Sequence, residues 1–283
     1  MALTFKRFAA AAGMAGALCI LAACGKEAKP SPQLLPDAFQ LPQGNHAFDN
    51  EIVAFKKQYG TYILYKFNYR DFAYNNTGYL SDTAALGDPA YVGQLIQLFK
   101  ESLSVFPESF IKTTVPFKII LSSAIGAPLP GGAINVTTGF AASPEMLGIG
   151  WTKAELEQQT PEERKAFLAS LRRYYMYRAA LGKSVEMPNE FLALWPASIS
   201  GITENNKYQF GMLEVQAPNR PDRAQDFSSY TQAIMSHTTA ELEATILSPQ
   251  KDTKGIVRRK YNIVLNYFRE KHNLDLAAIG NRP

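Results

Sequence analysis

Cysteine is nearly absent from this chain: 283 residues hold two, Cys19 and Cys24, both within the first two dozen positions. Everything downstream is therefore without a disulfide and without a thiolate metal ligand. Histidine is almost as scarce. His46, His237 and His272 stand on separate stretches, so a zinc site built from them would need three distant segments to converge. Charge of one sign is not in excess either. Lys and Arg number 29 against 25 Asp and Glu, which gives no concentrated basic footprint for nucleic acid. No stretch beyond the N-terminal segment approaches the roughly 20 apolar residues that span a bilayer.

What is present begins with an address. Lys6 and Arg7 form a positive region, and Phe8 to Leu21 an apolar run too short and too weakly hydrophobic to span. Leu21-Ala22-Ala23-Cys24 resembles the lipobox of bacterial lipoproteins, in which the cysteine becomes the acylated N-terminus. The expectation is a signal peptide over residues 1–23, lipid on Cys24 and a polar, proline-containing tether over residues 24–45. A single domain over residues 46–283 follows. Without Lys6 and Arg7 the formal charge falls to +2. With 46% hydrophobic residues there is ample material for one large core. This address places the protein in the cell envelope, lipid-anchored and at the outer membrane.

No internal repeat is visible. Phe48 to Tyr59 has helical apolar spacing and stops at Gly60, while Thr61 to Tyr69 (TYILYKFNY) reads as a strand. Asn75 to Pro89 is loop-like, and Tyr91 to Phe106 is an amphipathic helix. Pro116 to Ser122, Ala133 to Thr138 and Met146 to Trp151 read as further strands. Thr160-Pro161-Glu162-Glu163 carries the capping signature of a helix start, and that helix runs to Leu181 and stops at Gly182. Two more helices are expected over Arg223 to His237 and Gly255 to Lys271. The order predicts an α+β fold, a mixed β-sheet packed by helices, with a long central helix and a helical C-terminal part.

Two segments carry a family resemblance: FDNEIVAFKKQYGTYILYKFNYRDF near the start and YNIVLNYFREKHNLDL near the end. They resemble the bracketing segments of the zinc-binding metallopeptidase-like lipoproteins of Bacteroidetes, often found near glycan-utilisation loci. The likeness runs from about Phe48 to Leu276 and implies a zincin-like fold. In that family the central helix carries a motif similar to L-H-H-E-F-A-H, in which two histidines four apart bind Zn²⁺ and the glutamate between them polarises the metal-bound water. Laid on Leu171-Arg172-Arg173-Tyr174-Tyr175-Met176-Tyr177, the histidines fall on Arg173 and Tyr177 and the glutamate on Tyr174. The family's further acidic ligand falls in Gln225-Asp226-Phe227-Ser228-Ser229, where only Asp226 is acidic. A guanidinium has no lone pair to donate and a neutral tyrosine is a poor ligand, so the zinc implied by the resemblance has no ligand set here. No catalytic residue, metal ligand or cofactor is expected.

At about 100° per residue, Leu168, Leu171, Tyr174, Tyr175 and Arg178 share one face of the central helix, with Arg173 and Tyr177 on the adjoining one. Arg178 on an apolar face must reach past the core edge or find a carboxylate. One expectation is that Arg173 supplies the metal's positive charge and pairs with Asp226. A second is that Arg173 and the tyrosines line a cleft that binds a ligand such as a sugar. A third is an ordinary amphipathic helix with solvated arginines.

These readings point to a non-catalytic binding or scaffolding protein, partnered by envelope proteins or glycans and linked to glycan uptake. The alternatives are an active metallohydrolase using Asp226, Glu190 or His237, and a glycan-binding or glycan-cleaving protein with carboxylates such as Glu186, Glu190 and Glu204. Ser122, Ser123, Ser198 and Ser200 lack a nucleophile-elbow context, and Gly126 to Gly132 lacks the lysine of a phosphate loop. Tyr62, Tyr65, Tyr69, Tyr74 and Tyr79 form an aromatic region suited equally to glycan stacking and to packing.

Overall fold

A computed structural model describes residues 37–77, 80–215 and 222–282. The expected signal segment, Cys24 and tether residues up to 36 lie outside the described residues, as does Tyr79. The contacts of the chain divide it into Met1–Phe39 and Gln40–Pro283, and the architecture below is that of the second unit.

Helix α1 (Ala47–Tyr59) ends on Gly60, whose φ of 75° is the left-handed conformation that closes a helix at least cost. Strand β1 (Tyr62–Leu64) follows and is shorter than the aromatic run suggested. The chain turns at Asn68, whose side chain accepts from the amides of Arg70 and Asp71 at 2.8 and 3.1 Å and opens a short helix, α2 (Tyr69–Ala73). That local cap overrides the β-propensity of Phe67 and Tyr69. The expected loop over Asn75 to Pro89 contains strand β2 (Thr83–Leu86). Helix α3 (Pro89–Leu103) opens on Asp88 with proline at its first position, and α4 (Glu108–Thr114) is a further short helix that the sequence did not signal.

Strand β3 (Lys118–Pro128) is the spine of the sheet. Ile119, Ile120 and Leu121 are buried on successive faces, which is the pattern of a strand covered on both sides. Beyond it lie β4 (Ile134–Asn135), β5 (Phe140–Ser143) and β6 (Met146–Ile149). The order is β1-β3-β6-β5, parallel across β1/β3 and β3/β6 and antiparallel across β6/β5. Strands β2 and β4 pair antiparallel with the far half of β3. The sheet edge β5 (FAAS) went unread because alanine carries little β-propensity.

The central helix α5 (Pro161–Leu181) forms as its capping box dictates. Thr160 Oγ1 accepts from the Glu163 amide at 3.2 Å, and Glu163 Oε2 accepts from the Thr160 amide at 2.8 Å. After α6 (Asn189–Leu192) come α7 (Arg223–Ser236), α8 (Thr239–Ala244), α9 (Ile256–His272) and α10 (Leu276–Gly280). Helix α5 packs chiefly on α7 and also touches α3 and the edge strand β5, while α9 and α10 back α7. The core is one continuous cluster from Ile52 to Ile279. Among the described residues no helix is long and apolar enough to cross a membrane. The expected α+β architecture, a mixed sheet packed by helices with a long central helix, is the one observed.

Candidate functional site

Helix α5 leans over the edge of the sheet, and the space between it, β5, the bend of β3 and the start of α7 is a cavity of about 290 Å³. Its wall includes Arg173, Tyr174 and Tyr177 from α5, Asp226, Ser228 and Ser229 from α7, Glu214 from the preceding loop, and Asp82 from the segment before β2. The four positions singled out in the sequence, Arg173, Tyr174, Tyr177 and Asp226, thus meet in one place although 53 positions separate the outermost two.

Their partners differ from the expected ones. Arg173 does not pair with Asp226. Its two terminal nitrogens donate to the two carboxylate oxygens of Glu214, Nη1 to Oε1 at 2.8 Å and Nη2 to Oε2. This is the planar two-pronged geometry that favours arginine over lysine. Asp226 is instead held by Lys260 of α9, whose ammonium donates to Asp226 Oδ2 at 2.6 Å and to the Gly211 carbonyl at 3.0 Å. Both side chains are essentially inaccessible, at 0% and 1% exposure. The ammonium also lies over the Phe191 ring, 4.8 Å from its centroid. Burial pushes the Asp226 carboxyl above the usual carboxylate range, while the Lys260 charge acts in the opposite direction.

The tyrosines are committed as well. Tyr174 stacks on Phe140 of β5 with centroids 4.4 Å apart and planes 11° from parallel. Tyr177 donates to Asp222 Oδ2 at 3.0 Å, and burial together with that carboxylate pushes its phenol well up. Tyr175, one position from the motif, faces the core and burial raises it to about 12. Arg178 is buried among these apolar groups. It donates from Nη1 to the Pro144 carbonyl at 3.3 Å, and its Nε and Nη2 have no partner among the described residues. It therefore takes neither of the two expected routes, reaching the surface or a carboxylate, and desolvation lowers it to about 10.

This donor set does not suit the zinc that the family resemblance implies. The guanidinium of Arg173 has no lone pair, Tyr174 is turned against an aromatic ring, and one oxygen of Asp226 is taken by an ammonium. Among the described residues no group of three or more His, Cys, Asp or Glu side chains is placed to hold a metal ion. His46 stacks on Phe48 at the start of α1, and His272 lies against Phe110 and Tyr267 at the end of α9. His237 caps the far end of α7, eleven residues from Asp226, roughly 16 Å along the helix. His237 and Asp226 therefore cannot share an ion, and Glu190 on α6 joins no donor cluster either.

Glu214 and Lys260 are the members of this site that sequence reasoning missed. Glu214 carries no signal of its own, because its partner is 41 positions away. Lys260 carries one: it occupies the apolar stripe of α9 with Val257, Tyr261 and Val264, the same anomaly that marks Arg178 on α5.

No protein-family model matches this chain, and no curated protein matches it. Among solved structures it is similar to one described as a "putative zinc-binding metallo-peptidase" from Bacteroides caccae, with a TM-score of 0.52 and 14% sequence identity, over 82% of this chain and 88% of that one. At that identity the likeness concerns the fold: this chain has the zincin-like α+β architecture of a protein described as a metallopeptidase.

Proposed function

We propose that this is a non-catalytic binding or scaffolding protein of the cell envelope, built on a metallopeptidase-type fold and held to a membrane through lipid on Cys24. The observation that carries the reading is the pair of ion pairs in the cleft. Arg173, at a position that the resemblance gives to a zinc histidine, is paired with Glu214, and Asp226, at the position that it gives to the acidic ligand, is paired with Lys260. The position that the resemblance gives to the catalytic glutamate holds Tyr174, stacked on Phe140, so the carboxylate base of that family has no counterpart there. Its partners would be other envelope proteins or glycans, in the setting of glycan uptake that the resemblance suggests.

The test is the zinc content of the purified protein after dialysis against trace zinc, with hydrolysis of unstructured peptides followed in parallel. A content near zero without hydrolysis supports the reading; one zinc per chain with hydrolysis overturns it. The anchor is tested separately by mass spectrometry of the mature N-terminus, where Cys24→Ala should abolish acylation and release the protein from membranes.

A further inference from the structure

The cleft is unbalanced in its hydrogen-bonding chemistry. Several of its side-chain donors are already committed to the protein. Tyr177 donates to Asp222, Ser228 to the Gln225 carbonyl at 2.8 Å, and Ser229 to the Asp226 carbonyl at 2.7 Å. Arg173 is locked in its two-pronged pair with Glu214. Acceptors are left over. Asp226 Oδ1 is buried and has no hydrogen-bond partner among the described residues, its other oxygen being taken by Lys260. Asp82 stands in the same wall, half-buried, with its neighbour Ser81 as a hydrogen-bonding group. A carboxylate oxygen kept from water without a donor is costly, and a ligand that supplies the donor removes that cost.

We infer that this cavity binds the ammonium group of a small ligand, with its N–H donors meeting Asp226 Oδ1 and the Asp82 carboxylate. The inference rests on the non-catalytic binding reading and names the ligand chemistry of that same cleft. An ammonium brings three donors and no acceptor, which matches a wall that has acceptors to spare. An anionic ligand would face three carboxylates, Asp82, Glu214 and Asp226, against the Arg173 guanidinium in the wall and the Lys260 ammonium behind Asp226. A neutral sugar brings an oxygen acceptor with every hydroxyl donor and so gains less. The volume, about 290 Å³, lies at the small end of ligand pockets and admits a short amine or the first residues of a peptide. The ammonium can thus come from a free amine or from a peptide N-terminus.

Calorimetric titration of the full chain with n-butylamine, n-butanol, trialanine, N-acetyl-trialanine and cellobiose separates these cases. The expected result is that butylamine binds at least about tenfold tighter than butanol. If trialanine binds and acetylation weakens it by about tenfold or more, the ammonium is that of a peptide; if butylamine alone binds, it is that of a free amine. Asp82→Asn should weaken the amine several-fold without touching the buried ion pair. Asp226→Asn combined with Lys260→Met, which removes both charges together, should weaken it further while circular dichroism verifies folding. Equal affinity for amine and alcohol, binding of cellobiose alone, unchanged affinity in both variants, or no binding by folded protein would each overturn the inference. A null titration with zinc content near zero removes this inference and leaves the non-catalytic reading intact, whereas one zinc per chain removes both.

Discussion

Lys260→Met is the perturbation that most directly probes how the cleft is held. The wild-type ammonium is fully buried, 2.6 Å from Asp226 Oδ2 and 3.0 Å from the Gly211 carbonyl, and it ties α9 to α7. Methionine fills a similar volume, so the cavity contribution is small and the loss is electrostatic. An ion pair removed from one side leaves a buried carboxylate without compensation, which costs about 3–5 kcal/mol at neutral pH. For a domain of this size that lowers Tm by roughly 10 °C. The cost must depend on pH in a defined sense. Burial already raises the folded-state pKa of Asp226 from the ordinary aspartate range to about 6, and losing Lys260 removes both of the influences that lower it. A raised carboxyl pKa gives stability that is fully present below the unfolded value and is lost as pH rises through the folded one. Relative to the wild type, whose own Asp226 titrates at about 6, the variant's extra loss should be nearly constant from pH 4 to pH 6 and grow from there towards pH 8, with a slope of up to about 1.4 kcal/mol per pH unit. Urea unfolding followed by far-ultraviolet circular dichroism at pH 4, 6 and 8 measures this, and adding Asp226→Asn should recover most of the loss at pH 8. A loss below about 1 kcal/mol at pH 8, or one flat with pH, would refute the claim that this pair is buried and mutually dependent.

The other outcomes are as specific. Arg178→Met should be neutral or stabilise by about 1 kcal/mol in urea unfolding, because the wild-type guanidinium is buried with Nε and Nη2 unpartnered among the described residues and no ion-paired carboxylate there loses its partner. Arg173→Met should cost only about 1 kcal/mol, since Arg173 and Glu214 retain 19% and 31% side-chain exposure and water screens what remains; a loss above about 3 kcal/mol would mean that this pair, too, behaves as a buried one. Restoring the motif as Arg173→His, Tyr174→Glu and Tyr177→His should create zinc binding detectable by calorimetry only if Lys260→Met is included, because the ammonium otherwise competes for Asp226. Zinc affinity that is equal with and without Lys260→Met would contradict that competition.

The linear sequence determined the elements whose signals are local. The Thr160–Glu163 capping box, Gly60 at positive φ and the apolar stripes of α3 and α9 each act within one or two helical turns, so the helices fall where the pattern puts them. The order of those elements was enough to specify an α+β sheet-and-helix fold. The chemistry of Arg173, Tyr174 and Tyr177 was enough to exclude the expected zinc ligands, because a guanidinium cannot donate a lone pair in any fold.

Tertiary structure alone decided who pairs with whom. Arg173 could be matched with Asp226 on charge, yet α9 brings Lys260 to that carboxylate and the loop before α7 brings Glu214 to Arg173. Nothing within a few residues of either arginine or aspartate encodes that choice. It follows from how α5, α7 and α9 pack, and among the described residues the same packing leaves Arg178 with one carbonyl as its hydrogen-bond partner and Asp226 Oδ1 with none. Charges separated by tens of residues attract equally well in any pairing on paper. The burial of Lys260 and Asp226 in a low-dielectric core is what makes one pairing obligatory.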